Sequence, residues 1–268
     1  MDSIWMSPLS ALASMDGWIA RLSSAGLISV RFATALWLSP LLPAHGMPVR
    51  AKLILVLVLS LTLGLALPHD AHIGPLGASQ WVASAMMEVA NGLALALGLA
   101  SSVLAFEMAG RWLDTQIGFG MNQVMDPSTR HAQSVLSAAM RLAGVMLFWT
   151  LDVHHAVLRA LAGSLEWAPV GVVFQGWTDI RHAVDAISSL FAWALALSAP
   201  VLGGLLLAEV ALGVFSKALP QMNVLAIGMS VKVLIGIMLT AAWVPFLAAR
   251  APQVFKGSLT LWEGLIGG

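Results

Sequence analysis

Ionisable side chains set inside long apolar runs constrain this chain more than any other feature. Six stretches, residues 22–40, 51–68, 81–109, 132–162, 184–215 and 223–249, approach or exceed the roughly 20 apolar residues a helix needs to cross a bilayer. Within them stand Arg31, Glu88, Arg141, Asp152, Arg159, Glu209 and Lys232. A charged Arg, Lys or Asp costs about 2.5 to 3.5 kcal/mol at the centre of a membrane helix, so most of these groups must meet protein or water instead of lipid. The segment SKALPQMNVLAIGMSVKVLIG concentrates the problem, with Lys217, Pro220, Gln221, Asn223 and Lys232 around and inside one apolar run.

Hydrophobic residues make up 59% of the chain and charged residues 10%, which excludes an ordinary soluble domain. The fold class expected is all-α, because the apolar runs are too long and too continuous for the alternation of a membrane barrel. Thirteen basic and 13 acidic side chains cancel, leaving no footprint for nucleic acid. With no cysteine, disulfides, thiolate metal sites and iron–sulfur clusters are excluded. The opening MDSIWMSPLSALASMDGW lacks a basic n-region and is expected to stay on the mature chain. Arg50 and Lys52, Arg111 and Arg130, then Lys217 fall in alternate loops, which places the N-terminus outside the cytoplasm. Arg250 and Lys256 in the tail break that alternation, so a simple serpentine is not expected. Small residues in NGLALALGLASS, APVLGGLLLAEVALG and AIGMSVKVLIG fit close helix packing, within the chain or against other subunits.

Catalytic constellations are missing from the sequence: no GxxxxGK[ST] loop, no GxGxxG after a strand, no HExxH and no GxSxG. A non-enzyme without cofactor or metal is expected. Asp152 and Arg159, seven residues apart, share a helical face and are able to pair. In LDVHH, His154 and His155 point about 100° apart on a helix, a poor pair of metal ligands. Asp152 with His154 reads either as a proton relay or as hydrogen-bonded residues at a helix end or interface. The polar interruption GRWLDTQIGFGMNQVMDPST, residues 110–129, has glycines at 110, 118 and 120 that permit tight or left-handed backbone, while Phe119 and Met121 keep its middle apolar. It is either an amphipathic surface loop or a constriction element lining a watery cavity.

Five motifs, in order along nearly the whole chain, resemble the FliR/SctT family of type III secretion export-gate proteins. They are RFATALWLSPLLPAHGMPVRAKL, with Arg31, Pro40, Pro48, Arg50 and Lys52; MMEVANGLALALG, with Glu88, Gly92 and Gly98; AGRWLDTQIGFGMNQVMDP, with Gly110, Gly118, Asp126 and Pro127; LFWTLDVHHAVLRALAGSLEWAPVG, with His154, Ser164 and Pro169; and ALPQMNVLAIGMSVK, with Pro220, Gln221, Asn223, Gly228 and Lys232. Asp-x-His-His before a Ser and a Pro-x-Gly is more similar to the flagellar branch than to the virulence branch. The ALP at residues 218–220 departs slightly from the family pattern, and the tail GSLTLWEGLIGG matches none of it.

The resemblance implies a single export-gate domain over residues 1–268, built of helical hairpins, that passes unfolded flagellar proteins across the bacterial inner membrane within the flagellar basal body. Implied partners are FliP-like, FliQ-like and FlhB-like membrane proteins, the export substrates and membrane lipid. It also implies a pore plug at about residues 110–127, carried by Gly110, Gln116, Gly118, Phe119, Gly120, Met121, Asn122 and Met125. Arg31, Glu88, Asp152, His154, Arg159, Glu209, Gln221, Asn223 and Lys232 are then subunit-interface or buried polar groups. The alternatives are a virulence-type export subunit, or a free-standing transporter or ion channel using Asp152, His154 and Glu209.

Overall fold

A computed structural model describes residues 15–39, 48–66, 77–119, 135–174, 180–218 and 224–267. Among these residues there are seven helices and no strand: α1 (Met15–Leu38), α2 (Val49–Ala66), α3 (Ala78–Ile117), α4 (Val135–Thr150), α5 (Val153–Trp167), α6 (Ile180–Ala218) and α7 (Val224–Gly267). Five are long and apolar enough to cross a membrane, and the broken pair α4 and α5 makes a sixth if counted as one span. The protein is an all-α membrane protein. At 1.5 Å per residue the 40 residues of α3, 39 of α6 and 44 of α7 extend about 60 Å, twice a hydrocarbon core of about 30 Å.

Three boundaries differ from the sequence expectation. The third apolar run continues as helix eight residues beyond 109, because Ala109, Leu113 and Ile117 repeat at helical spacing and are all buried. The run 132–162 breaks at Leu151–Asp152, where Asp152 takes φ 55°, a left-handed conformation that Asp tolerates better than most side chains. The unassigned tail is the last three turns of α7, which carries Pro245 and Pro252 inside it.

The chain divides into two compact units, residues 1–100 with 154–185 and 259–268, and residues 101–153 with 186–258. In the first, α1 packs against α2 where a Cβ on Gly64 would lie 3.1 Å from that of Ala25. A Cβ on Gly92 of α3 would fall 1.6 Å from Thr34 Oγ1 and 2.6 Å from the Arg31 carbonyl, so only glycine lets α1 and α3 meet there. Trp262, 2% exposed, seals the unit: its ring fills the space over Gly98 and its indole N–H donates to the Leu95 carbonyl at 2.9 Å.

In the second unit Leu113, Ile117, Val201 and Leu205 form a buried cluster, flanked by Phe119, Leu136, Leu239 and Trp243. Close approaches recur at Gly144 under Phe106, Gly236 under Ile117 and Gly257 under Trp193. Phe106 stacks on Phe255, and Phe148 meets the Phe255 ring edge-on.

Replacing Trp262 by Ala is expected to cost about 3 to 5 kcal/mol, and Gly98→Val to be comparably damaging because Trp262 has to move. Protease resistance of the detergent-solubilised protein, compared with that of Met86→Ala at an exposed position of the same unit, measures both.

Candidate functional site

Arg31 and Glu88 stand 57 residues apart in sequence and both are fully buried in the first unit. The guanidinium is a planar fork of five N–H donors, and every one has an acceptor. Nε donates to Glu88 Oε2 at 2.5 Å and Nη2 to Glu88 Oε1 at 3.1 Å. The remaining protons reach the Ser164 carbonyl at 3.0 Å, Ser164 Oγ at 3.4 Å and the Ala168 carbonyl at 3.0 Å, capturing the last turn of α5. The Phe174 ring lies 5.4 Å from the guanidinium carbon.

Glu88 and Asn91, one helical turn apart on α3, hold the strap that follows α5. The Val172 N–H bonds the Pro169 carbonyl at 3.0 Å, and Gly171 at the third position has φ 82°, as a type II turn requires. That turn aims the Gly171 N–H at Glu88 Oε1, 2.7 Å away. Asn91 donates to the Val172 carbonyl at 2.7 Å and accepts from the Phe174 N–H at 2.9 Å. The Pro-x-Gly of the sequence is therefore the backbone half of a buried polar network.

A second polar cluster occupies the last turn of α3, within the second unit. Asp114, 1% exposed, accepts from the N–H groups of Leu136 at 3.1 Å and Ser137 at 2.8 Å, so it caps the start of α4. Gly110 is helical and not a turn residue: a Cβ there would lie 2.6 Å from the Ser137 Cα, so its role is close helix approach. Gln116 donates to Glu209 Oε1 at 3.2 Å, and the same oxygen accepts from the Lys232 ammonium. Lys232 thus has its counter-charge inside this chain. Gly118 follows with φ 105°, and Phe119 packs on the neighbouring apolar cluster.

The other sequence candidates lie apart from these networks. Asp152 precedes α5 instead of riding on it, so its supposed shared face with Arg159 does not exist; both are exposed. His154 and His155 have ring centroids 4.1 Å apart, closer than an ideal 100° separation suggests. Gly120, Met121, Asn122, Met125, Gln221 and Asn223 lie outside the described residues. Sequence reasoning missed Asn91, Asp114 and Trp262. Asn91 stands one turn from Glu88, and Asp114 shares its four-residue spacing with Gly110, signals that point to one packed face.

The model of the bacterial export proteins, family 1, matches residues 22–258. Flagellar biosynthetic protein FliR of Escherichia coli strain K12 is 24% identical over 252 residues, 94% of this chain and 95% of that one. FliR of Bacillus subtilis strain 168 is 26% identical over 185 residues, 68% of this chain and 71% of that one. The surface presentation of antigens protein SpaR of Shigella flexneri is 28% identical over 150 residues, 56% of this chain and 58% of that one.

Truncating Glu88 to Ala leaves the Arg31 charge and the Gly171 N–H uncompensated, and is expected to cost about 3 to 5 kcal/mol. The double variant Arg31→Met with Glu88→Leu should recover part of that loss. Steady-state accumulation of the two variants in membranes, measured against the parent, checks the order.

Proposed function

Since this chain belongs to the bacterial export proteins of family 1, we propose that it is a structural and gating subunit of a flagellar type III export gate, passing unfolded flagellar proteins through the bacterial inner membrane at the basal body. FliR relatives align over 55% to 94% of the chain and SpaR over 56%, and the near-complete alignment with FliR of Escherichia coli favours the flagellar branch. Its role in this reading is mechanical and not catalytic.

The observation that carries the assembly is apolar surface without cover. In the most apolar windows of α6 and α7 only 28% and 11% of residues are buried, against 72% in α3. Leu206, Leu207, Val210, Val214 and Phe215 on α6, and Leu234, Ile237, Met238, Val244 and Phe246 on α7, are all exposed. With Val184, Ile187, Phe191 and Leu195 the exposed apolar face of α6 runs from Val184 to Phe215, about 45 Å of helix against a hydrocarbon core of about 30 Å, so neighbouring helices of FliP-like, FliQ-like and FlhB-like subunits supply the remainder. The alternative of a free-standing transporter draws on Glu209, whose carboxylate is engaged by Lys232 and Gln116.

For gating, the segment after α3 serves as the plug, with Gln116, Gly118 and Phe119 at its root. Leu113, Asp114 and Ile117 are part of the packed core, so a deletion aimed at the plug has to start beyond them. Removing residues 120–127 is expected to make cells leaky to ions while the other export-gate membrane proteins still co-purify with the chain in mild detergent. Unchanged permeability in an assembled complex rejects the plug, and a chain that purifies alone and stays monodisperse rejects the subunit reading.

A further inference from the structure

Within the first unit, one face of α5 and a single turn of α7 flank a half-open cavity of about 570 Å³, lined by Arg159, Gly163, Trp167, Leu259, Trp262 and Glu263 among others. Its wall is fixed from behind, because Ser164 is held by Arg31 and Trp262 by the Leu95 carbonyl. The lining is chiefly apolar, yet Arg159 and Glu263 bring one cation and one anion to the same space. Among the described residues neither has an ion-pair partner, and they do not pair with each other. Both side chains are exposed beside this apolar hollow, and a zwitterionic ligand complements the two charges at once.

We propose that this cavity is a binding site for a zwitterionic aminophospholipid. The Arg159 guanidinium takes the phosphate, for which its planar fork is suited. The Glu263 carboxylate takes the headgroup ammonium. A primary ammonium offers three hydrogen-bond donors and a quaternary one offers none, which selects ethanolamine over choline. The apolar lining takes the start of an acyl chain, and the exposed Trp167 ring has the amphipathic character of interfacial anchors. The volume lies in the range of small-ligand pockets, about 300 to 1,000 Å³. The α5 wall runs three turns, Ala156 to Trp167, but the α7 wall, Leu259 to Glu263, supplies little more than one, so a docked helix finds anchors along one wall only.

Gly163 permits a test that leaves the charges alone, since a Cβ there meets nothing within 4 Å and a larger side chain fills the cavity. The full chain, purified in mild detergent with whatever membrane proteins accompany it, is exchanged into phosphatidylethanolamine, phosphatidylcholine or phosphatidylglycerol, and retained lipid is counted by native mass spectrometry. Retention of phosphatidylethanolamine above the other two is expected, falling about tenfold in Arg159→Gln, Glu263→Gln and Gly163→Leu. Equal retention of all three lipids, or retention unchanged by Gly163→Leu, overturns the site. A photoreactive residue in place of Gly163 reports the occupant directly: a lipid adduct supports the proposal, and an adduct to another polypeptide replaces it with a protein contact. Should a charge variant fail to accumulate, the Gly163 variants still decide.

Discussion

The saturated guanidinium of Arg31 is the interaction on which the first unit depends. A lone arginine at that depth would be prohibitively expensive in hydrocarbon, and a bare ion pair with Glu88 would leave three donors and an acceptor site unmet. The chain meets them with backbone. Ser164 and Ala168 lend carbonyls from the end of α5, and Gly171 returns an N–H to Glu88 through a turn that only glycine makes without strain. The pair therefore fixes one conformation of three helices and a strap. Removing any participant leaves a polar group orphaned in a dry interior, which is why the network resists piecemeal change.

Unpaired charge was legible in the sequence, but pairing was not. Arg31, Glu88, Glu209 and Lys232 stand out because ionisable groups are rare within apolar runs, and that rarity needs no structure to notice. Their partners lie 57 and 23 residues away, distances that no helical periodicity can encode. The one pairing that spacing did suggest, Asp152 with Arg159, fails because the helix starts at Val153 and Asp152 turns the backbone out of it. Local periodicity is informative only where the helix it assumes is continuous.

Glycines show the same limit from another side. Gly110 and Gly118 look alike in the sequence, eight residues apart in one polar stretch, and both suggest loose backbone. Gly118 does adopt a left-handed φ of 105°. Gly110 sits inside α3 and is small because the α4 backbone passes over it, with Asp114 one turn later capping that same helix. Composition marked this stretch as an interruption, whereas the apolar spacing of Ala109, Leu113 and Ile117 marks its first third as helix. The spacing governs, since burying those three side chains repays the helix with a core.

The way the charges are satisfied changes what argues for an assembly. Intramembrane ionisable groups at first suggest that neighbouring chains or a wet conduit must shelter them. For Arg31 with Glu88, and for Lys232 with Glu209, the shelter is internal. Apart from exposed charges such as Arg159 and Glu263, what this chain leaves uncovered is of the opposite character: broad apolar faces on α6 and α7, on helices longer than the bilayer is thick. Lipid covers apolar surface only over the hydrocarbon depth, and water penalises the rest at about 25 cal/mol per Å². Polar bonds thus set the shape of each unit, and in the proposed assembly uncovered hydrocarbon supplies the drive to associate. The small-residue surfaces beside it let other helices come close, so the two halves of the sequence pattern serve different ends.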